Sequence, residues 1–356
     1  MRARLRGPGA PLALASAALF GASTPLAKLL LGAGVDPWLL AGILYLGSGL
    51  GLGIYHFARR LAGQGRAKEA ALVRADLPWL VLVVLAGGGV GPVLLMIGLA
   101  LAPASSAALL LNLEGLATMA IAWLAFRENV DRRLLLGAFS ILAGAMLLSW
   151  QGGLQGFGPG ALAIAGACLA WGLDNNLTRK LSAADPVQIA AVKGVCAGVV
   201  NLTLAVAVRG AGLPSLQILA DGALIGLLGY GVSLVLFVLA LRHLGAARTG
   251  AYFSTAPFLG AALGLVLFRE PVTAQLAGAA LLMGLGVWLH LSERHEHEHV
   301  HGALAHAHRH VHDLHHQHAH GPDDPPGEPH AHWHEHAPAR HKHPHYPDLH
   351  HRHGHA

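Results

Sequence analysis

Lys28, Glu114, Asp174 and Lys193 fall inside long apolar runs, where an ionised group is costly and is by default a candidate for function. Glu114 stands in Leu111-Asn112-Leu113-Glu114-Gly115, about 15 Å into its run at 1.5 Å per residue. Low dielectric penalises a charged carboxylate, so Glu114, assisted by Asn112, is suited to bind a cationic part of a solute or a coupling proton. An ion pair to Lys28 or Lys193 that orients helices is the competing reading, since two acids and two bases could pair completely. Asp174 opens the polar stretch Asp174-Asn175-Asn176, which suits the mouth of a cavity or an ordinary helix end with Arg179 and Lys180 at the headgroups. Lys193 is the better cavity candidate of the two bases and equally a structural partner for Asp174. Tyr230, Tyr252, Ser254 and Thr255 are polar handles that either line a solute site or bond neighbouring backbone.

A second set of chemical groups lies at the other extreme of polarity. From Glu293 onward, 23 of the 26 histidines alternate with small and acidic residues. They begin His295, His297, His299, His301, then His306, His308, His310, His312, then His315, His316, His318 and His320. Imidazole suits Ni²⁺, Co²⁺, Zn²⁺ and Cu²⁺, and His-x-His spacing on a flexible chain lets several nitrogens converge on one ion. Metal binding is the expectation, with a pH- or lipid-sensing tail and a solvated segment without function as rivals. Few apolar residues and seven prolines give residues 293–356 no core, so the tail is expected to be disordered without ligand. Binding metal is separate from transporting it: His56, His243 and His290 lie near the ends of apolar runs, which therefore hold no set of ligands for a bare ion.

Other chemistry finds no residues to carry it. Cys168 and Cys196 have no partner motif, and nothing resembles a nucleophile with its base or a phosphate-cradling loop, so enzymatic activity is not expected and no cofactor is required. The positive charges sit between apolar runs rather than along one face, which argues against nucleic acid.

The elements that position these groups are apolar helices. The chain is 54% hydrophobic and only 12% charged, against roughly 25% charged in an average soluble domain. A span of the bilayer core takes about 20 apolar residues, and ten runs fit: 10–31, 37–58, 77–101, 104–126, 134–150, 159–177, 186–208, 222–241, 245–268 and 275–291. The first resembles a leader peptide in its flanking arginines, but the repeat below needs it as a helix. Pro25, Pro92 and Pro257 are placed to loosen helices. With the amino terminus inside, fifteen Lys/Arg lie in cytoplasmic connections and only Arg209 and Arg269 on the other side, which predicts an inner-membrane protein with both termini cytoplasmic.

Shifting the chain by 142 residues aligns Gly89–Asp131 with Gly231–Thr273 at 11 identities over 43 positions, sharpest at Phe126-Arg127-Glu128 and Phe268-Arg269-Glu270. Farther upstream Phe20-Gly21 meets Trp171-Gly172, and Asp36-Pro37 meets Asp185-Pro186. Residues 1–150 and 159–292 thus form two five-helix units joined by 151–158, and an odd number of crossings inverts the second unit relative to the first. The predicted fold is an all-α integral membrane protein of ten transmembrane helices as two inverted five-helix repeats, plus the tail.

These features, together with the short join in Ala100-Leu101-Ala102-Pro103-Ala104-Ser105-Ser106-Ala107, resemble the EamA-type branch of the drug/metabolite transporter superfamily over residues 10–291. The resemblance implies a ten-helix carrier of small metabolites or drugs, often exporting, with a central cavity and the lipid bilayer as its surroundings. It names no substrate, coupling ion or oligomeric state. A divalent-metal exporter fed by the tail and a non-transporting membrane metal sensor stay open as alternatives.

Overall fold

The computed structural model describes residues 9–61, 72, 74–126, 132–150, 157–178, 181 and 185–292, and within the tail 296–301, 304–310, 330–336 and 339–344. The body is helical: α1 (Gly9–Gly32), α2 (Pro37–Leu61), α3 (Leu77–Val83), α4 (Gly91–Leu101), α5 (Ala104–Leu110), α6 (Leu113–Phe126) and α7 (Arg132–Ser149). These are followed by α8 (Pro159–Thr178), α9 (Pro186–Ala207), α10 (Leu216–Gly226), α11 (Ser233–Phe253), α12 (Ala256–Phe268) and α13 (Ala274–Leu291). Wide π-turns join α3 to α4 over Val84–Val90 and α10 to α11 over Leu227–Val232.

Helix starts follow their residues. The Asp36 carboxylate accepts from Trp38 N at 2.9 Å and Leu39 N at 3.2 Å, ahead of Pro37, which has no N–H to leave unpaired. Asp185 does the same for α9 through Val187 N at 2.8 Å, and Thr273 for α13 through Leu276 N at 3.1 Å. Repeated Asp-Pro signals thus mark two equivalent helix entries.

Among the described residues, eight helical stretches are long and apolar enough to cross a membrane. Ala256–Phe268 is apolar but shorter, and α8 closes on the polar run Asp174-Asn175-Asn176. The polarity is that of a protein solvated by lipid. Leu216 (82% exposed), Leu281 and Val266 face outward, while the interior is dense in Ala, Gly and Ser. Small interior residues let backbones touch. A Cβ at Gly49 would overlap the backbone of Gly194 and Val195 on α9, and one at Gly198 would overlap Leu46 on α2. The same reciprocity joins α7 and α13, where Gly144 meets Ala279 and Gly286 meets Gly137.

Four expectations change. The fourth run, expected to be continuous over 104–126, breaks at Leu111–Asn112, because the Asn112 carboxamide bonds the Leu109 carbonyl (2.8 Å) and competes with the helix ladder. The ninth breaks likewise at Ser254–Thr255, just before Pro257, whose ring cannot continue a ladder from below. The eighth begins at Leu216 rather than 222, which brings Asp221 into an apolar helix, and the α11 backbone runs unbroken through the join expected at 242–244, which places Arg242 and Arg248 within a helix as well.

In the tail, β1 (Glu296–His301) pairs antiparallel with β4 (Ala339–Pro344), and β2 (Leu304–His310) with β3 (His330–His336). Isolated two-stranded ladders are marginally stable at best in water.

Candidate functional site

The π-turn at Val84–Val90 is where the buried polar groups gather. A π-turn withdraws carbonyls from the normal helix ladder, and two of these are claimed by side chains from other helices. Gly87 O accepts from the Tyr45 hydroxyl (2.8 Å) and from Trp171 Nε1 (3.0 Å), and Gly88 O accepts from Asn201 Nδ2 (2.8 Å). Gly87 has no room for a side chain because the Asp174 carboxylate lies against its Cα. Asp174, buried on α8, forms an ion pair with half-buried Lys193 on α9, and its second oxygen accepts from Thr178 Oγ1 at 3.2 Å. A buried ion pair of this kind needs such extra bonds to offset desolvation.

Glu114 takes neither lysine. It sits one residue into α6, just past the helix break, and Glu114 Oε1 accepts from Asn175 Nδ2 on α8 at 3.0 Å. Asn175 Nδ2 also reaches Thr118 Oγ1 at 3.2 Å, and Thr118 Oγ1 bonds the Glu114 carbonyl at 2.9 Å. Among the described residues no cation lies within ion-pair distance of Glu114. The Glu114 side chain is half-buried in the seam between α6 and α8. Asn176, its neighbour's neighbour in the same seam, donates to Thr118 O (3.0 Å) and Gly172 O (2.8 Å), while its buried Oδ1 has no partner among the described residues.

A cluster of aromatic rings lies at the second π-turn. Tyr230, in the second π-turn, packs on Tyr45 (centroids 5.5 Å apart) and Phe20 (5.9 Å), and Phe20 packs on Phe253 (5.4 Å). The structure thus brings Glu114, Asp174, Lys193 and Tyr230 into one region. The others serve elsewhere. Asn112, expected to assist Glu114, instead donates to Leu109 O and approaches the Met283 sulfur at 3.9 Å. Thr255 Oγ1 donates to its own Tyr252 carbonyl (2.6 Å), and Tyr252 and Ser254 are half-buried beside the α11–α12 break.

Lys28 leaves the charged region altogether. Its ammonium donates to the carbonyls of Leu99 (2.7 Å) and Ala102 (2.6 Å) at the end of α4. Glu270 faces it across the join, accepting from Ala104 N (2.7 Å), Ser105 N (3.0 Å) and Ser105 Oγ at the start of α5. Sequence reasoning used Glu270 only as a repeat marker. The signal available was the charged pair itself, repeated in an otherwise apolar alignment.

For the tail, His295, His312, His315, His316, His318 and His320 lie outside the described residues. Backbone register sets His306, His308 and His310 opposite His334, His332 and His330, and His297 and His299 opposite His343 and His341.

Comparison with known proteins follows the same division of the chain. The profile of the EamA-like transporter family matches residues 7–150 and again residues 158–292. A protein of Methanothermobacter thermautotrophicus described as an uncharacterized transporter is 28% identical over 284 residues, covering 76% of this chain and 82% of its own. A solved crystal structure superposes with a TM-score of 0.58 at 21% identity, covering 80% of this chain and 96% of its own, which is a likeness of fold.

Proposed function

The chain belongs to the EamA-like transporter family, and on that premise we propose that it is a secondary active carrier, exporting small organic metabolites or drugs by alternating access. The two units are read as inverted five-helix repeats whose ten crossings enclose the site, with both termini on the cytoplasmic side of the inner membrane. The reciprocal backbone contacts of Gly49 with Val195 and of Gly198 with Leu46 support a two-fold relation between the units. Two similar bundles in opposite orientations have two near-equivalent packings, one open to each side, and rocking between them carries the solute across.

One observation carries the assignment of the site. Glu114 is a half-buried carboxylate with no counter-ion among the described residues, hydrogen-bonded from a helix of the other unit. Such a group binds a solute cation in one state and a proton in the other, which couples transport to the proton gradient. Lys193 and Asp174 hold the wall beside it. Proteoliposome uptake, screened across solutes with and without a pH gradient, tests the reading. Gradient-dependent uptake that Glu114→Gln abolishes supports it, and uptake by Glu114→Gln at the normal rate and pH dependence removes Glu114 from the mechanism.

The histidine tail favours a second reading, a divalent-metal exporter to which the tail hands its ion. Opposed His across both tail ladders supports metal binding. A deletion strain sensitive to nickel, cobalt or zinc, rescued only by the intact chain, decides for metal export. Rescue by a chain ending at Ser292 makes the tail a buffer rather than a feeder.

A further inference from the structure

The relation between the two units exchanges two walls of the central region. One wall comprises the π-turn at 84–90, α6, α8 and α9, and the other the π-turn at 227–232, α12, α1 and α2. Contacts recur across this exchange. Gly87 lies against Asp174 as Gly229 lies against Ser23, and Gly172 meets Thr118 as Gly21 meets Gly260. The walls therefore coincide in backbone, and their side chains can be compared position by position.

They differ where a solute would touch them. Glu114 corresponds to Ala256, Asp174 to Ser23 and Lys193 to Leu44, so every one of these charges falls on the first wall. Tyr230 corresponds to Gly88, and the rings of Phe20 and Tyr45 belong to the second wall, with Phe253 and Phe237 of α11 packed behind Phe20, whereas at these positions the first wall carries one ring, Trp171 at the position of Phe20, tied by its Nε1 to Gly87 O. On the charged wall Asp174 and Lys193 neutralise each other, which leaves Glu114 as its unpaired charge among the described residues.

We propose that this site takes an organic monocation with an aromatic or apolar body, its charge at Glu114 and its body against Phe20, Tyr45 and Tyr230. The inference rests on the carrier reading and adds to it the class and orientation of the solute. A monocation balances the unpaired charge of Glu114, an anion would be repelled by it, and a bare proton would leave the aromatic wall without a role. Ring faces attract cations and bury apolar groups at once, so a quaternary or protonated amine carrying a ring satisfies both walls.

The test uses the full-length chain in lipid nanodiscs, with empty nanodiscs as background, and radiolabelled benzyltrimethylammonium as probe. Neopentylbenzene is its uncharged counterpart of the same shape, and phenylacetate its anionic counterpart. Saturable binding is expected, displaced by unlabelled cation at least tenfold more effectively than by either counterpart. Glu114→Gln is expected to weaken binding at least tenfold. Tyr230→Leu is expected to weaken it about 2- to 30-fold, the range of a cation–π contact, and Tyr230→Phe to keep it within about twofold. Displacement by phenylacetate or neopentylbenzene as effective as by the cation overturns the proposal, and needs no variant to fold. So does unchanged binding in Glu114→Gln. Uptake of phenylacetate into proteoliposomes without any cation binding sinks the inference and leaves the carrier standing. Cation binding without exchange of any probe across the membrane does the reverse.

Discussion

Lys28 and Glu270 grip the two sides of one joint: the ammonium holds the carbonyls that end α4 and the carboxylate holds the N–H groups that begin α5. Each charge complements the helix end it meets, cation at a C-terminus and anion at an N-terminus. The residues are far apart in sequence, on α1 and just after α12, and belong to different units. The joint at Ala102-Pro103 is thereby fastened to both.

Glu270→Gln is expected to lower the melting temperature in detergent by several degrees, because charge-assisted bonds to orphan helix N–H groups are worth about 1.5–3 kcal/mol together with the charge. Lys28→Met should do the same. The double variant should lose less than the two single losses combined, since both secure one joint. Strictly additive melting shifts would show two independent caps.

Asp174 and Lys193 should fail singly and succeed together. Removing one partner of a buried ion pair costs about 3–5 kcal/mol by stranding the other charge. Lys193→Met alone is expected to give little monodisperse protein by fluorescence-detected gel filtration, whereas Lys193→Met with Asp174→Asn recovers most of it. Equal yields from both would show that the pair contributes nothing to folding.

Gly87→Ala tests how tightly the π-turn is seated. The added methyl would occupy the space of the Asp174 carboxylate, so the ion pair must shift or the turn must move. We expect a loss of transport larger than that of Gly53→Ala, whose Cβ would meet nothing within 4 Å. Comparable uptake rates for the two would refute the packing argument.

The tail should bind metal in a pH-dependent manner. Imidazole ligates only when neutral, so protonation competes with the ion. Nickel or zinc titration by calorimetry should show affinity falling from pH 7.5 to 5.5, and no binding to a chain ending at Ser292. Affinity that is flat with pH would point away from the histidines.

Orientation has its own check. In a background lacking Cys168 and Cys196, single cysteines at Arg66 and Arg132 should label from the same side of the membrane. Labelling from opposite sides would dismantle the ten-crossing topology.

Much of the frame was readable from residue types. Helix entries at Asp36-Pro37 and Asp185-Pro186 announce themselves through local capping chemistry, and apolar length marks the crossings. The site was readable only in part. That Glu114 is a lone charge could be suspected, but Leu111-Asn112-Leu113 scans as uninterrupted helix. Nothing local says that Asn112 turns back onto Leu109 while Asn175 supplies the partner. Which amide faces Glu114 is decided by how α6 packs on α8, a tertiary fact with no periodic signature. The π-turns were invisible for the same reason: their glycines read as packing residues, and only the carbonyls left to Tyr45, Trp171 and Asn201 reveal the extra width.

Those two turns fall one repeat apart, 84–90 against 227–232. Each widens its helix and frees carbonyls for side chains of other helices, so any movement of Tyr45, Trp171 or Asn201 must be answered by the backbone of the first turn.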